Sequence, residues 1–98
     1  MSVPVIYLPE AQEDVDTAYA GYEQRQTGLG ERFLEQLRRR VEVIQDNPQS
    51  YAVPRDEVRA APLRRFPYVV YFRFEAGTAF VLAVLHGRRD PQVWISRA

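Results

Sequence analysis

At 98 residues, with 46% apolar and 27% charged side chains, the chain is expected to be one domain, 1–98: long enough for a single core and too apolar to be disordered. Its 13 basic residues balance its 13 acidic ones, which argues against nucleic-acid binding through net positive charge, and the absence of Cys with only one His argues against a disulfide framework, a thiolate nucleophile or a zinc or iron site. No apolar run reaches membrane length, and MSVPVIYLPE lacks the basic and long apolar regions of a secretory signal, so no membrane partner and a cytoplasmic location are expected.

All the basic residues are Arg, which removes lysine-based chemistry such as a Schiff base. The charges are unevenly spread. Residues 1–24 carry Glu10, Glu13, Asp14, Asp16 and Glu23 with no base, whereas residues 59–98 carry Arg59, Arg64, Arg65, Arg73, Arg88, Arg89 and Arg97 against Glu75 and Asp90.

Val3 to Leu8 is a short β-branched and aromatic run and predicts a first strand, with Pro4 at its start or on an edge. Pro9 suits the first position of a helix, and Ala11, Val15, Ala18, Tyr19 and Tyr22 recur at helical spacing as its core face. Thr27-Gly28-Leu29-Gly30 ends that helix, with Gly28 as a left-handed cap. A second helix is expected from about Gly30 to Asp46, with Phe33, Leu34, Leu37, Val41 and Ile44 as its stripe and Asn47-Pro48 as its stop. So short a connection makes the two helices an antiparallel hairpin. Residues 49–57 read as a polar connector and Val58 to Leu63 as a strand interrupted by Pro62.

Leu63 to Trp94 is the most apolar and aromatic stretch and reads as two long antiparallel strands joined at Ala76-Gly77. Pairing Glu75 with Thr78 and proceeding outward places Val70, Phe72, Phe74, Ala79, Val81, Ala83 and Leu85 on one face, to lie beneath the helices. Val69, Tyr71, Arg73, Phe80, Leu82, Val84 and His86 fall on the other, which is expected to stay open, with Arg88 just beyond; a bulge would overturn this assignment. Asp90-Pro91 then signals a short helix holding Val93, Trp94 and Ile95. The fold class is α+β: an N-terminal strand and an antiparallel two-helix hairpin packed on a three-stranded antiparallel sheet, in the order β-α-α-β-β-β, with a short C-terminal helix or extension.

Pro9-Glu10-Ala11, Asn47-Pro48, Arg64-Arg65-Phe66-Pro67-Tyr68-Val69-Val70-Tyr71, and Val84-Leu85-His86-Gly87-Arg88-Arg89-Asp90-Pro91 with Trp94 together resemble the RelE/ParE superfamily of type II toxin–antitoxin toxins. The pairing of RFPY with LHGRRDP brings the chain closest to the ParE-like plasmid-stabilisation toxins. The resemblance implies a growth-inhibiting toxin neutralised by a cognate antitoxin and, for ParE-like members, inhibition of DNA gyrase by a protein that is not itself an enzyme. The alternative it implies is a RelE-like endoribonuclease that cuts mRNA on the ribosome. Against that alternative, Val69 stands where such nucleases place a sheet arginine, and Trp94 stands at the C-terminal aromatic position and cannot exchange a proton. If the chain is a nuclease, its catalytic residues are Arg73, His86 and Arg88.

For target or antitoxin binding the candidates are Tyr71, Arg73, Phe80, Leu82, His86, Arg88, Arg89 and Trp94. Each has a plainer reading: a strand-end His bonded to backbone, arginines in a solvated turn, a Trp plugging the core. Arg64 and Arg65 read as exposed hairpin charges, and Arg38-Arg39-Arg40 as a solvated helix side, because consecutive helical residues do not share a face. No metal and no cofactor are expected. An open apolar face at Phe80, Leu82 and Val84 further implies a lone toxin prone to aggregate, and an antitoxin segment that covers it.

Overall fold

The computed structural model describes residues 2–98, in the order β1 (Val5–Tyr7), α1 (Pro9–Arg25), α2 (Leu29–Asp46), β2 (Arg59–Pro62), β3 (Tyr68–Glu75), β4 (Thr78–His86) and α3 (Gln92–Ile95), with a single 3₁₀ turn at Pro48–Ser50. Pro9 opens α1 as expected: Leu8 before it is extended, and the proline ring has the helical φ built in. The first helix turns Ala11, Val15 and Ala18 inward, and α2 turns Phe33, Leu37 and Ile44. Tyr19 leaves the expected core face; its hydroxyl donates to Glu31 instead, at 3.2 Å.

The hairpin joint differs from the expected one. Gly28 is left-handed, with φ 90°, but it stands at the N-terminus of α2, not at the C-terminus of α1. There the Glu23 carboxylate of α1 accepts from Gly28 N–H at 2.9 Å and Gly30 N–H at 2.8 Å, satisfying amides that a helix start leaves open. The helices approach so closely that a Cβ on Gly30 would stand 2.8 Å from the Tyr19 ring.

The N-terminal strand joins the sheet, which therefore has four strands in the order β1-β4-β3-β2, with β1 parallel to β4 and the other pairs antiparallel. Ala76 and Gly77 have φ of 49° and 80°, the pair of positive angles of a tight hairpin turn, and Glu75 pairs with Thr78. From the turn the register runs as expected to Phe72 opposite Val81. It then slips: Tyr71 faces Ala83, so Leu82 is an extra residue in β4.

That bulge overturns half of the predicted face assignment. Val84 and His86, expected on the open face, turn to the helix side. Ala83 and Leu85, expected beneath the helices, turn away. Val70, Phe72, Ala79, Val81 and Val84 thus join Phe33, Leu37 and Ile44 in the main core. At one end of that core Phe66 meets Tyr22 edge-on at 5.0 Å, and Tyr68 meets Phe33 at 5.3 Å.

The reverse face is not open either. Val58, Leu82, Ala83, Leu85 and Trp94 form a second buried cluster, edged by Leu8, Tyr71, Val93 and Ile95. The last helix covers the sheet there, with Trp94 stacked on Tyr71 at 4.8 Å and 14°. Among the described residues the large apolar side chains left exposed are Ile6, Val43 and Val53, so the apolar patch behind the expectation of aggregation is absent. Among them, too, no helix is long and apolar enough to cross a membrane.

Candidate functional site

Four local structures place the eight candidate side chains: the middle of β3, the bulged strand β4, the turn after β4, and α3. Tyr71 and Arg73 do lie on the reverse face, as expected, but each is engaged. Burial beneath Trp94 raises the Tyr71 hydroxyl above its usual pKa. Arg73, opposite Phe80 in the register, reaches Glu75 and the Asp56 carbonyl at 3.5 Å each, while its Nε is buried without an acceptor among the described residues. Phe80 is half-buried and borders an open cavity of about 370 Å³ with Leu8, Arg73 and Arg97. Leu82 and Trp94 are 4% and 6% exposed, so neither offers its side chain to a partner in this conformation.

His86, turned to the helix side, packs its ring on Tyr68 at 5.7 Å, between cavities of about 140 and 250 Å³ that Thr17 and Ala18 of α1 also line. Its Nδ1 accepts the backbone N–H of Arg88 at 3.0 Å, which is the backbone-bonded strand-end role. That bond uses the lone pair a general base would need at this nitrogen. Arg88 is exposed, and Arg89 lines the larger cavity beside Glu13 and Asp14. Asp90 caps α3 through Gln92 N–H at 3.0 Å, as expected from the Asp-Pro pair.

Arg73, His86 and Arg88 do not converge as a phosphate clamp with an acid–base group. Arg73 faces the cavity beneath the C-terminus, and His86 the cavity beside α1, on opposite sides of the sheet. Sequence reasoning counted Arg97 only as charge, yet it is the most heavily engaged arginine: its guanidinium donates to Asp14 at 2.6 and 3.2 Å and to the Leu82 carbonyl at 3.1 Å. Asp14 also accepts Val84 N–H at 3.0 Å. The only forewarning in the sequence was the acid-rich first helix against a basic C-terminal half.

What these elements define is a small α+β protein that presents a basic strand end and a covered sheet. Residues 5–91 match the family described as the ParE toxin of the type II toxin–antitoxin system parDE. The chain belongs to this ParE toxin family and is the toxin component of such a system, whose counterpart is an antitoxin. Among solved structures it is similar to a chain from the chromosomal ParDE toxin–antitoxin system of P. aeruginosa, with a TM-score of 0.76 at 19% identity, covering 87% of this chain and 96% of that one. That likeness is one of fold. A comparison with curated protein sequences gives no significant match.

Proposed function

We propose that the chain, acting as one domain in the cytoplasm, inhibits DNA gyrase by binding it, catalyses no reaction of its own, and is neutralised by its cognate antitoxin. Family membership supports the gyrase reading, and one structural observation supports a binding rather than a cleaving toxin. The bulge at Leu82 sends His86 and Arg73 to opposite sides of the sheet, and Nδ1 of the single histidine is committed to Arg88 N–H. A ribosome-dependent nuclease needs a proton-transferring group and phosphate-holding cations around one scissile bond, so the RelE-like alternative is not favoured. The exposed Arg88 and Arg89 remain available to a macromolecular partner.

Purified toxin added to gyrase and relaxed plasmid should block supercoiling or trap cleaved DNA, and added antitoxin should restore activity. Induced expression should give filamentous cells with damaged DNA. An immediate arrest of translation with cleaved mRNA, and gyrase untouched at micromolar toxin, would overturn the proposal.

A further inference from the structure

Arginines that the sequence disperses meet where the turn between β2 and β3 approaches α2. Arg39 and Arg40 of α2 and Arg64 and Arg65 of the turn between β2 and β3 line one open cavity of about 380 Å³, with Gln36 and Val43 completing its wall. Taken alone, adjacent helical arginines diverge, which is why this run reads as a solvated side. The turn brings two further arginines to the same cavity.

Among the described residues no carboxylate lines this cavity, and neither Arg64 nor Arg65 meets one. Arg39 is partnered by Glu35 at 3.0 Å. Arg40 donates to the Tyr51 hydroxyl at 3.1 Å, but its Nε is buried with no acceptor among the described residues, so the cation is incompletely compensated. Arg65 is held at φ 68°, a left-handed conformation that a side chain with a Cβ resists. That conformation belongs to the turn that Leu63 N–H closes by donating to the Tyr68 carbonyl at 2.9 Å, and it leaves Arg65 exposed at the cavity.

We propose that this cavity is a phosphate-binding site that grips the backbone of a nucleic acid. One guanidinium fork saturates the two oxygens of a carboxylate, whereas several converging forks suit the larger set of oxygens on phosphate groups repeated along a strand. The chain has no net charge, and α2 itself carries Glu31, Glu35, Glu42 and Asp46, so the grip is local and strongly dependent on salt. It stands independently of which enzyme the toxin inhibits.

The test is fluorescence anisotropy of a short labelled DNA duplex with the purified full-length chain, across a salt series. Saturable binding at low salt is expected, with inorganic phosphate competing only at far higher concentration. Arg64→Ala should weaken binding about tenfold and lower the salt slope by about one. Arg65→Gly removes the charge and suits the left-handed backbone, so it should keep the thermal midpoint and lose affinity similarly. Arg55→Ala, on the connector, should change nothing. Four results would overturn the proposal: no binding at low salt; equal binding by wild type, Arg64→Ala and Arg65→Gly; inorganic phosphate competing as well as duplex, which would mark a small-anion site; or poly-glutamate competing as well as DNA, which would mark an acidic protein partner.

Discussion

The Arg97 guanidinium closes on the Asp14 carboxylate at 2.6 and 3.2 Å, tying the last turn of the chain to the first helix across 83 positions of sequence. Asp14, and behind it Glu10 and Glu13, push the Arg97 pKa further up, against the opposing effect of burial. The pair is 15% and 12% exposed, so water screens it little. Arg97→Met should cost about 3 kcal/mol in urea unfolding, because it leaves a shielded carboxylate with only the Val84 amide. A loss within about 0.5 kcal/mol, the range of an ordinary surface change, would show that the clasp is incidental.

Alkaline stability should report on Tyr7. Burial raises its hydroxyl from 10.0 to about 12. The folded chain therefore holds a proton that the unfolded chain releases, so stability is complete below pH 10 and falls as pH rises toward 12. The loss from this group is about 2 kcal/mol. No lysine titrates in that window. Tyr7→Phe should match the wild type at pH 7 and unfold less steeply under alkali in a circular-dichroism titration. Tyr22 and Tyr71, both also raised by burial, should keep part of the slope. An unchanged slope in Tyr7→Phe would place the effect elsewhere.

Trp94 holds the C-terminal helix on the sheet by stacking on Tyr71 over Leu82, Ala83 and Leu85. Trp94→Ala should cost about 3–4 kcal/mol and expose that second cluster to a hydrophobic dye. Trp94→Phe should recover most of the loss. As the sole tryptophan, Trp94 should emit at short wavelength in the folded chain and shift red on unfolding. A red native emission would mean that the helix does not cover the sheet.

The proposed mode of action makes His86 dispensable for chemistry. His86→Gln should lower growth inhibition by less than about tenfold, since a general acid–base group contributes 10²–10⁴-fold, while Arg88→Ala should weaken inhibition by removing an exposed contact. Complete loss of toxicity in a folded His86→Gln protein would return the catalytic reading to favour.

The residue pattern by itself determined the α+β class, both long helices, the stop at Asn47-Pro48, the tight turn at Ala76-Gly77 and the Asp90 cap. Each of these follows from local rules: a 3.6-residue stripe, a fixed proline φ, a short side chain that accepts a backbone amide. The RFPY and LHGRRDP segments carry the resemblance to the ParE family in the residues alone. Three things were settled only in three dimensions: the slip at Leu82, the covering of the reverse face by Trp94, and the meeting of Arg39 and Arg40 with Arg64 and Arg65. Strand alternation is blind to one inserted residue, since Leu82-Ala83-Val84-Leu85 is apolar throughout and suits either face equally. At the bulge the Asp14 carboxylate accepts Val84 N–H and Arg97 donates to the Leu82 carbonyl, contacts that join chain segments far apart in sequence and leave no periodic trace in it.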